Sequence, residues 1–451
     1  MSDRKSSLFI LPDGRNVFLT FVLVSSLFLL WGFCNGLIDV MDKHFQTELH
    51  LTLAQSAWVQ FAHYLGYFLM ALPAGWLATR LGYKGGIIAG LLMVALGGFW
   101  FIPASQIASF WAFLVGVCLI AAGLTFLETI ANPYTTVLGD PKQAAVRINI
   151  AASCNGIGWI FGPIVGGMFF YGKDATGAST GSETLWIPYA AIGVVVLLLA
   201  VVFFFAPVPD IKSHSGEVEG TGSANEGTSI WKRPHFVCAV PAQFFYVAAQ
   251  AGIFSFFINY MTSQTPPLPD ALTGGFLRHW FETAPAGNWR LSDQGAAQLA
   301  SLGFICFLVG RICGAAVLRR IAAHSALGWY GVVNTLLCVL VMMKVGWLSV
   351  VGVFLTYFFM SIMFPTIFAL GIHGLGGRAK QASAFIVMAI MGGAVLPKLM
   401  GHVGDLHGMS IAFIVPMACF AIVAIYGFAW PRLSGESSGK WEVDGPTPSV
   451  L

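Results

Sequence analysis

Two carboxyl groups lie inside otherwise apolar stretches, where a charge is costly. Asp39 ends the run Trp-Gly-Phe-Cys-Asn-Gly-Leu-Ile-Asp, and Glu128 lies within Phe-Leu-Glu-Thr-Ile-Ala-Asn-Pro. An ionisable group at the centre of a membrane span costs roughly 2.5 kcal/mol or much more, so such groups usually have a function. Because removal from water disfavours the charged form of a carboxyl, each could exchange a proton near physiological pH. The two residues predict handling of a proton or a polar solute within a bilayer.

Side-chain amides form a second set of candidate groups. An amide both donates and accepts hydrogen bonds, which suits neighbouring hydroxyls on a solute such as a sugar. Asn35 and Asp39 are four residues apart and share a helix face, and Gln243, Tyr246 and Gln250 form a similar polar stripe. The candidate binding residues are Asn35, Asp39, Glu128, Asn132, Asn155, Gln243, Tyr246, Gln250, Asn259 and Tyr357.

Each candidate also has a purely structural interpretation. Either carboxyl could pair with a buried base, for which Arg147 is available, or cap a broken helix. The amides could join neighbouring helices, which is a common role of amides in membranes. For any single aromatic residue such as Tyr357, helix packing explains the residue as well as ligand contact does.

The composition places the chain in a membrane. Of its 451 residues, 57% are hydrophobic and 10% are charged, whereas soluble domains carry about 25% charged residues. A net charge of +3 is too small to indicate a nucleic-acid partner. The eight cysteines all lie in apolar stretches without metal-ligand spacing, and we interpret them as small buried hydrophobic residues. The sequence therefore predicts no metal, no cofactor and no catalytic residue.

Apolar runs predict twelve membrane spans and hence an all-α polytopic membrane protein. The first six predicted spans are residues 18–40, 56–79, 85–103, 109–138, 146–170 and 187–207. The second six are residues 235–260, 296–317, 327–344, 347–370, 381–400 and 410–431. The predicted domains are the tail 1–17, the bundle 18–207, the linker 208–234, the bundle 235–431 and the tail 432–451.

Basic residues and internal repeats organise these spans. Most of the 23 Lys and Arg residues fall on the side of the two termini, which predicts that both termini are cytoplasmic. The segments 75–80 and 314–319 both read Gly-x4-Arg, and the segments 133–139 and 365–371 both read Pro-x4-Leu-Gly. Two matches at nearly the same offset predict a parallel duplication of six spans.

Six plus six spans, a polar central linker and the two Gly-x4-Arg connections are similar to the major facilitator superfamily. The segments 31–39, 127–133, 242–250 and 361–371 narrow this resemblance to the fucose–galactose–proton symporter family. The resemblance implies twelve helices in two six-helix bundles, the major facilitator fold, and import of a neutral monosaccharide with protons by alternating access. In that family, the carboxyls that match Asp39 and Glu128 serve proton coupling and sugar binding.

The chain departs from the pattern of the fucose transporters of that family at two positions. Gly36 stands where they have a second Asn, and Ala152 stands where they have a Gln. We expect the lost groups to leave space in the sugar cavity. The expected substrate is therefore a hexose, a 6-deoxyhexose or an N-acetylhexosamine.

Other functions stay open from the residues alone. A sodium-coupled sugar symporter would also use carboxylates, and a proton-coupled multidrug antiporter would share the fold, although the amide stripe argues against it. A membrane sensor is the alternative outside transport, and no phosphate-binding loop or nucleophile arrangement supports an enzyme. The predicted partners are a sugar, a proton and the lipid bilayer of a plasma membrane, with the bacterial inner membrane favoured. The chain is expected to work as a monomer.

Overall fold

The computed structural model describes residues 8–11, 14–139, 144–171, 185–209, 229–267, 280–283, 289–375 and 378–435. The described chain is nearly all helical, as expected in lipid, where each segment must satisfy its own backbone hydrogen bonds. Eleven helical segments in this part of the chain are long and apolar enough to cross a membrane. Most of the predicted linker and of the C-terminal tail lies outside the described residues.

The first half contains six helices, the second of them very short. They are α1 (Phe18–Glu48), α2 (Leu53–Ser56), α3 (Trp58–Ile107), α4 (Phe110–Val137), α5 (Ala144–Phe170) and α6 (Trp186–Phe205). Nearly all of the predicted span 56–79 and the whole span 85–103 lie in α3, which is interrupted at Gly82. The φ of +69° at Gly82 is a conformation that glycine adopts without a steric penalty, so the chain bends there.

The first predicted span ends too early. We predicted an end at residue 40, whereas α1 continues to Glu48. Residues 41–48 contain no Gly or Pro, so nothing local stops the helix. The extension places Asp42 and Gln46 on a membrane helix rather than in a loop.

The second half is more segmented. It begins with a 3₁₀ turn (Ile230–Lys232), α7 (Pro234–Ser255) and α8 (Phe257–Gln264), followed by the antiparallel strands β1 (Phe281–Thr283) and β2 (Trp289–Leu291). The next helices are α9 (Asp293–Leu318), α10 (Ala323–Met342), α11 (Trp347–Met360) and α12 (Met363–Ile372). The last are α13 (Ala379–Met388), a 3₁₀ turn (Ala389–Met391), α14 (Gly392–His407), α15 (Met409–Ala412) and α16 (Ile414–Ser434).

Several predicted spans of this half are two consecutive helices. The span 235–260 is broken at Phe256, and the span 347–370 is broken after Met360. The nearly continuous predictions 327–344 and 347–370 are separated by Lys344 and Gly346, whose φ values are +55° and +54°. The hairpin of β1 and β2 was not predicted.

Contacts divide the described residues into two units. The first contains those within 1–38 and 62–218, and the second contains those within 39–61 and 219–446. The end of α1, all of α2 and the start of α3 therefore belong to the second unit. Within that unit, the Asp405 carboxylate of α14 accepts hydrogen bonds from the backbone N–H groups of Leu53, at 2.8 Å, and Ala54, at 3.0 Å.

Glycines allow very close helix crossings within each unit. A Cβ on Gly158 of α5 would collide with the carbonyl oxygen of Leu29 and lie 2.6 Å from the backbone nitrogen of Phe33, both in α1. In the second unit, a Cβ on Gly392 of α14 would collide with the carbonyl of Phe244 in α7. Small residues at such crossings let membrane helices approach through their backbones.

We expect the Gly158→Ala substitution to lower the apparent unfolding temperature of the detergent-solubilised protein. The added methyl group has no space between α5 and α1, and overpacking of this kind costs typically about 1–3 kcal/mol. The matched control is Gly75→Ala in α3, where a new Cβ would have no atom within 4 Å. Because Ala favours a helix over Gly, the control should be neutral or stabilising. Equal unfolding temperatures for the two variants would contradict the proposed crossing.

Candidate functional site

The first unit holds a cluster around Glu128 that consists of Trp31, Asn35, Tyr67 and Glu128. The Tyr67 hydroxyl accepts a hydrogen bond of 2.6 Å from the Trp31 indole N–H. It also lies close enough to the Asn35 side chain and to Glu128 to interact with both electrostatically. Asn35 is 7% exposed, and its Oδ1 has no hydrogen-bond partner among the described residues. We call this group the Glu128 cluster.

Two other predicted amides are occupied by helix backbones. Asn132 donates from Nδ2 to the carbonyl of Glu128, one turn earlier on α4, at 3.0 Å. Asn155 of α5 donates from Nδ2 to the carbonyl of Phe28 in α1, at 3.1 Å, and so joins these two helices. The described hydrogen bonds of buried Arg147 go to the carbonyls of Thr135 and Leu8.

The second unit holds a cluster around Asp39 that consists of Asp39, Asp42, Gln60, Ser255 and Tyr357. The Gln60 amide of α3 donates to Asp39 Oδ1 at 3.0 Å and to Asp42 Oδ2 at 3.4 Å. The Ser255 hydroxyl at the end of α7 donates to Asp42 Oδ2. Asp39 Oδ2 and Asp42 Oδ1 have no partner among the described residues. We call this group the Asp39 cluster.

Tyr357 is held in the Asp39 cluster by aromatic packing. Its ring stacks on Phe254, with centroids 4.6 Å apart, and meets the edge of Phe304 at 5.6 Å. A Cβ on Gly303 would lie 3.0 Å from the same ring, so the absence of a side chain at Gly303 makes room for it. The buried hydroxyl interacts electrostatically with Asp39 and has no hydrogen-bond partner among the described residues.

The predicted polar stripe of α7 is not uniform. Gln243 is fully buried, and neither polar atom of its amide has a partner in the described part of the chain. The Tyr246 hydroxyl donates to the carbonyl of Met360 at 3.0 Å, whereas Gln250 is half-buried. Asn259, which follows on α8, exchanges hydrogen bonds with Gln46 of α1. Gln243 and Gln250 are therefore the members of this set whose amides make no hydrogen bond in the described part of the chain.

The sequence prediction missed members of both clusters. Asp42 lies three residues after Asp39, a spacing that places both on one helix face, but we had ended the span before it. Gln60 and Tyr67 occur among other polar and aromatic residues of α3, and nothing in the sequence distinguished them. Ser255 carried no signal, since serine is common in membrane helices.

The expectation for Gly36 is wrong. We expected the missing side chain to leave space in a cavity, but Gly36 faces α5. A Cβ there would lie 3.0 Å from both Pro163 Cδ and the carbonyl oxygen of Trp159, and 3.2 Å from Gly162 Cα. The glycine thus allows α1 and α5 to pack closely.

Comparison with known proteins shows the family to which this chain belongs. The family model of the Major Facilitator Superfamily matches residues 17–397. The chain belongs to the major facilitator superfamily. It is an integral membrane protein, and the predicted fold is confirmed.

Individual members of the major facilitator superfamily are similar to this chain over most of its length. The L-fucose-proton symporter of Escherichia coli (strain K12) is 35% identical over 433 residues, which cover 92% of this chain and 93% of that protein. The glucose/galactose transporter of Brucella abortus biovar 1 (strain 9-941) is 33% identical over 403 residues, which cover 89% and 91%. The crystal structure of the transporter FucP in the outward conformation matches with a TM-score of 0.64 and 34% identity, covering 92% of this chain and 99% of that one.

The comparison confirms the resemblance on which the sequence interpretation relied. The relatives are transporters, which agrees with the prediction that the chain is not an enzyme.

Two buried tyrosines provide a test of which hydroxyl is structural. Tyr246→Phe removes a hydroxyl that is bonded to the Met360 carbonyl, and we expect a loss of about 0.5–1.5 kcal/mol. Tyr357→Phe removes a hydroxyl without a partner, so we expect an unchanged or higher unfolding temperature without a ligand. Thermal unfolding of the two variants in detergent measures the difference. A larger loss for Tyr357→Phe would contradict this assignment.

Proposed function

We propose that this protein imports a neutral monosaccharide together with protons by alternating access. The observation that carries the proposal is that both clusters combine a carboxyl, buried at Asp39 and half-buried at Glu128, with unpartnered polar atoms. These atoms are Asn35 Oδ1, Asp39 Oδ2 and the Tyr357 hydroxyl. Buried polar groups in proteins are normally hydrogen-bonded, so atoms like these suit a ligand that brings its own hydroxyls. Relatives named as sugar transporters support the same substrate class.

Glu128 and Asp39 are the proposed proton carriers. In the described part of the chain, neither carboxyl has a cationic side chain within ion-pair distance. An uncompensated buried charge costs several kcal/mol, so a carboxyl of this kind must be protonated before the protein closes around it. Protonated Glu128 and Asp39 should therefore favour the loaded form that moves inward, and release of the protons should favour release of the sugar.

The uncharged nature of the sugar follows from the same carboxyls. A sugar acid would add a negative charge beside Glu128 or Asp39 whenever they were ionised. A hexose, a 6-deoxyhexose or an N-acetylhexosamine brings only hydroxyls and an amide. The buried Gln243 amide, with a free donor and a free acceptor, suits vicinal hydroxyls of such a ring.

The proposed transport cycle keeps the predicted domain organisation. The bundles 18–207 and 235–431 are the moving bodies, and the linker 208–234 joins them on the cytoplasmic side. Both termini are proposed to be cytoplasmic, in a bacterial inner membrane, because Lys and Arg residues concentrate on that side. We propose a monomer as the working unit.

In proteoliposomes, an inward proton gradient should drive accumulation of a labelled monosaccharide by the wild-type protein. Glu128→Gln should abolish this uphill uptake but retain sugar counterflow, because an amide imitates the permanently protonated carboxyl. Glu282→Gln is the matched control, since Glu282 lies on the hairpin in an exposed ion pair with Arg290 of 2.8 Å. Uphill uptake by Glu128→Gln at the wild-type level would refute its coupling role.

The same vesicles show which ion drives the accumulation of sugar. A sodium gradient at equal pH on both sides should drive no accumulation. Accumulation with sodium alone would replace proton coupling by sodium coupling, which uses carboxylates equally well. Export of a preloaded lipophilic cation from the vesicles, driven by the inward proton gradient and without sugar uptake, would indicate an antiporter instead.

A thermal-shift screen across monosaccharides should identify the substrate. A ligand that binds the folded form stabilises it by about 2.7 kcal/mol at a concentration of 100 Kd. We expect one group of related sugars to raise the unfolding temperature and the Tyr357→Phe variant to lose part of that increase. If no neutral sugar shifts the wild-type protein while a sugar acid does, the proposed substrate class is wrong.

A further inference from the structure

The Asp39 cluster contains a second carboxyl whose function neither the sequence nor the family resemblance assigns. Asp42 is fully buried, with 0% of its surface exposed, on the part of α1 that continues beyond the predicted span. It lies one helical turn after Asp39, and the two carboxyls are close enough to interact electrostatically. A buried carboxylate without a counterion is costly, so the contacts of Asp42 need an explanation.

One amide connects the two carboxyls. Gln60 has a single NH₂ group, and it donates to Asp39 Oδ1 and to Asp42 Oδ2. Each carboxyl keeps one oxygen without a partner among the described residues, and a protonated carboxyl would carry its hydrogen there. Two interacting carboxyls in one site release their protons in coupled steps, since ionisation of one disfavours ionisation of the other.

The described charged groups on the surrounding helices contact residues other than the two carboxyls. On α9, the Arg311 guanidinium lies 5.1 Å from the centroid of the Phe307 ring. On α1, the ammonium of Lys43 lies 3.9 Å from the Asp293 carboxylate. On α14, the ammonium of Lys398 lies 3.9 Å above the ring of Trp58, and Asp405 caps α2. In the part of the chain that is described, no cation lies within ion-pair distance of Asp39 or Asp42.

The uncharged titratable neighbours do not replace a cation. The Tyr357 hydroxyl on α11 interacts with Asp39 and has no hydrogen-bond partner among the described residues. The Tyr260 hydroxyl on α8 is directed to the carbonyl of Val341, and the His44 ring packs on Phe45. On α7, Ser255 contributes only a hydroxyl to Asp42.

We propose that Asp42 is a further proton-binding site of this transporter beside Glu128 and Asp39, linked to Asp39 through Gln60, and that its proton crosses the membrane with the sugar. The proposal rests on the proposed function. Asp42 then adds one transported proton to those carried by Asp39 and Glu128, the two carboxyls of the family motifs. Ser255 places this proton at the contact between α1 and α7, so loss of the proton leaves a charge in that contact and favours its opening.

The accumulation limit of the transporter measures the number of protons. With the membrane potential clamped to zero, each coupled proton raises the limiting sugar ratio about tenfold per unit of pH difference. The wild-type protein should therefore reach a limit of about 100-fold or more at one pH unit, and Asp42→Asn should reach a limit about tenfold lower. Asn keeps an oxygen for Ser255 and Gln60, so counterflow exchange by this variant should persist.

Three results would overturn the proposal. The first is an equal limit for Asp42→Asn and the wild-type protein. The second is a wild-type limit of only about tenfold, which corresponds to a single coupled proton. This result requires a measurement on the wild-type protein alone. The third comes from Glu282→Gln, which neutralises a carboxyl on the hairpin of β1 and β2 and should keep the wild-type limit. If Glu282→Gln lowers the limit as much as Asp42→Asn, the decrease does not report a proton bound at Asp42.

Proton binding in detergent separates this inference from the proposed function. If the wild-type protein accumulates no monosaccharide under a pH gradient, the proposed function fails, and the proton site is judged by titration alone. Between about pH 5 and about pH 9, the wild-type protein should release one proton more than Asp42→Asn. Equal release by the two proteins would show that Asp42 does not exchange a proton and would overturn the inference.

Discussion

The cost of an ionised carboxyl in a dry, apolar interior is the constraint on which the rest of this structure depends. Asp39 and Glu128 lie in helices that lipid surrounds, and no described cation compensates either of them. A group in this position must be neutral whenever water is excluded, so its protonation is tied to the conformation of the protein. A membrane helix that retains such a group is suited to couple proton movement to a structural change.

The polar residues around the carboxyls divide into two kinds. One kind forms hydrogen bonds that join neighbouring helices, as membrane amides and hydroxyls commonly do. Its members are Asn155, Tyr246 and Asn259. Gln243 and Tyr357 are just as deeply buried but keep unused donors and acceptors. These residues are equally buried but differ in whether their polar groups are hydrogen-bonded. This difference separates residues that hold the protein together from residues that can bind a solute.

The first helix belongs to both contact units, which links the two clusters covalently. Its residues up to Ile38 are assigned to the first unit and its residues from Asp39 onward to the second. Asn35 therefore contributes to the Glu128 cluster, whereas Asp39 and Asp42 contribute to the Asp39 cluster.

The sequence by itself determined the membrane class, most of the spans, the family and the two carboxyls, because these depend on composition, periodicity and local motifs. It could not determine which polar groups are satisfied, since that depends on atoms far apart in the chain, such as Gln60 beside Asp39 and Met360 beside Tyr246. It also suggested cavity space at Gly36, where the tertiary structure places a neighbouring helix. Only the fold showed that Asp42 is buried, because Gln60 and Ser255, which hydrogen-bond its carboxyl, lie outside its own helix.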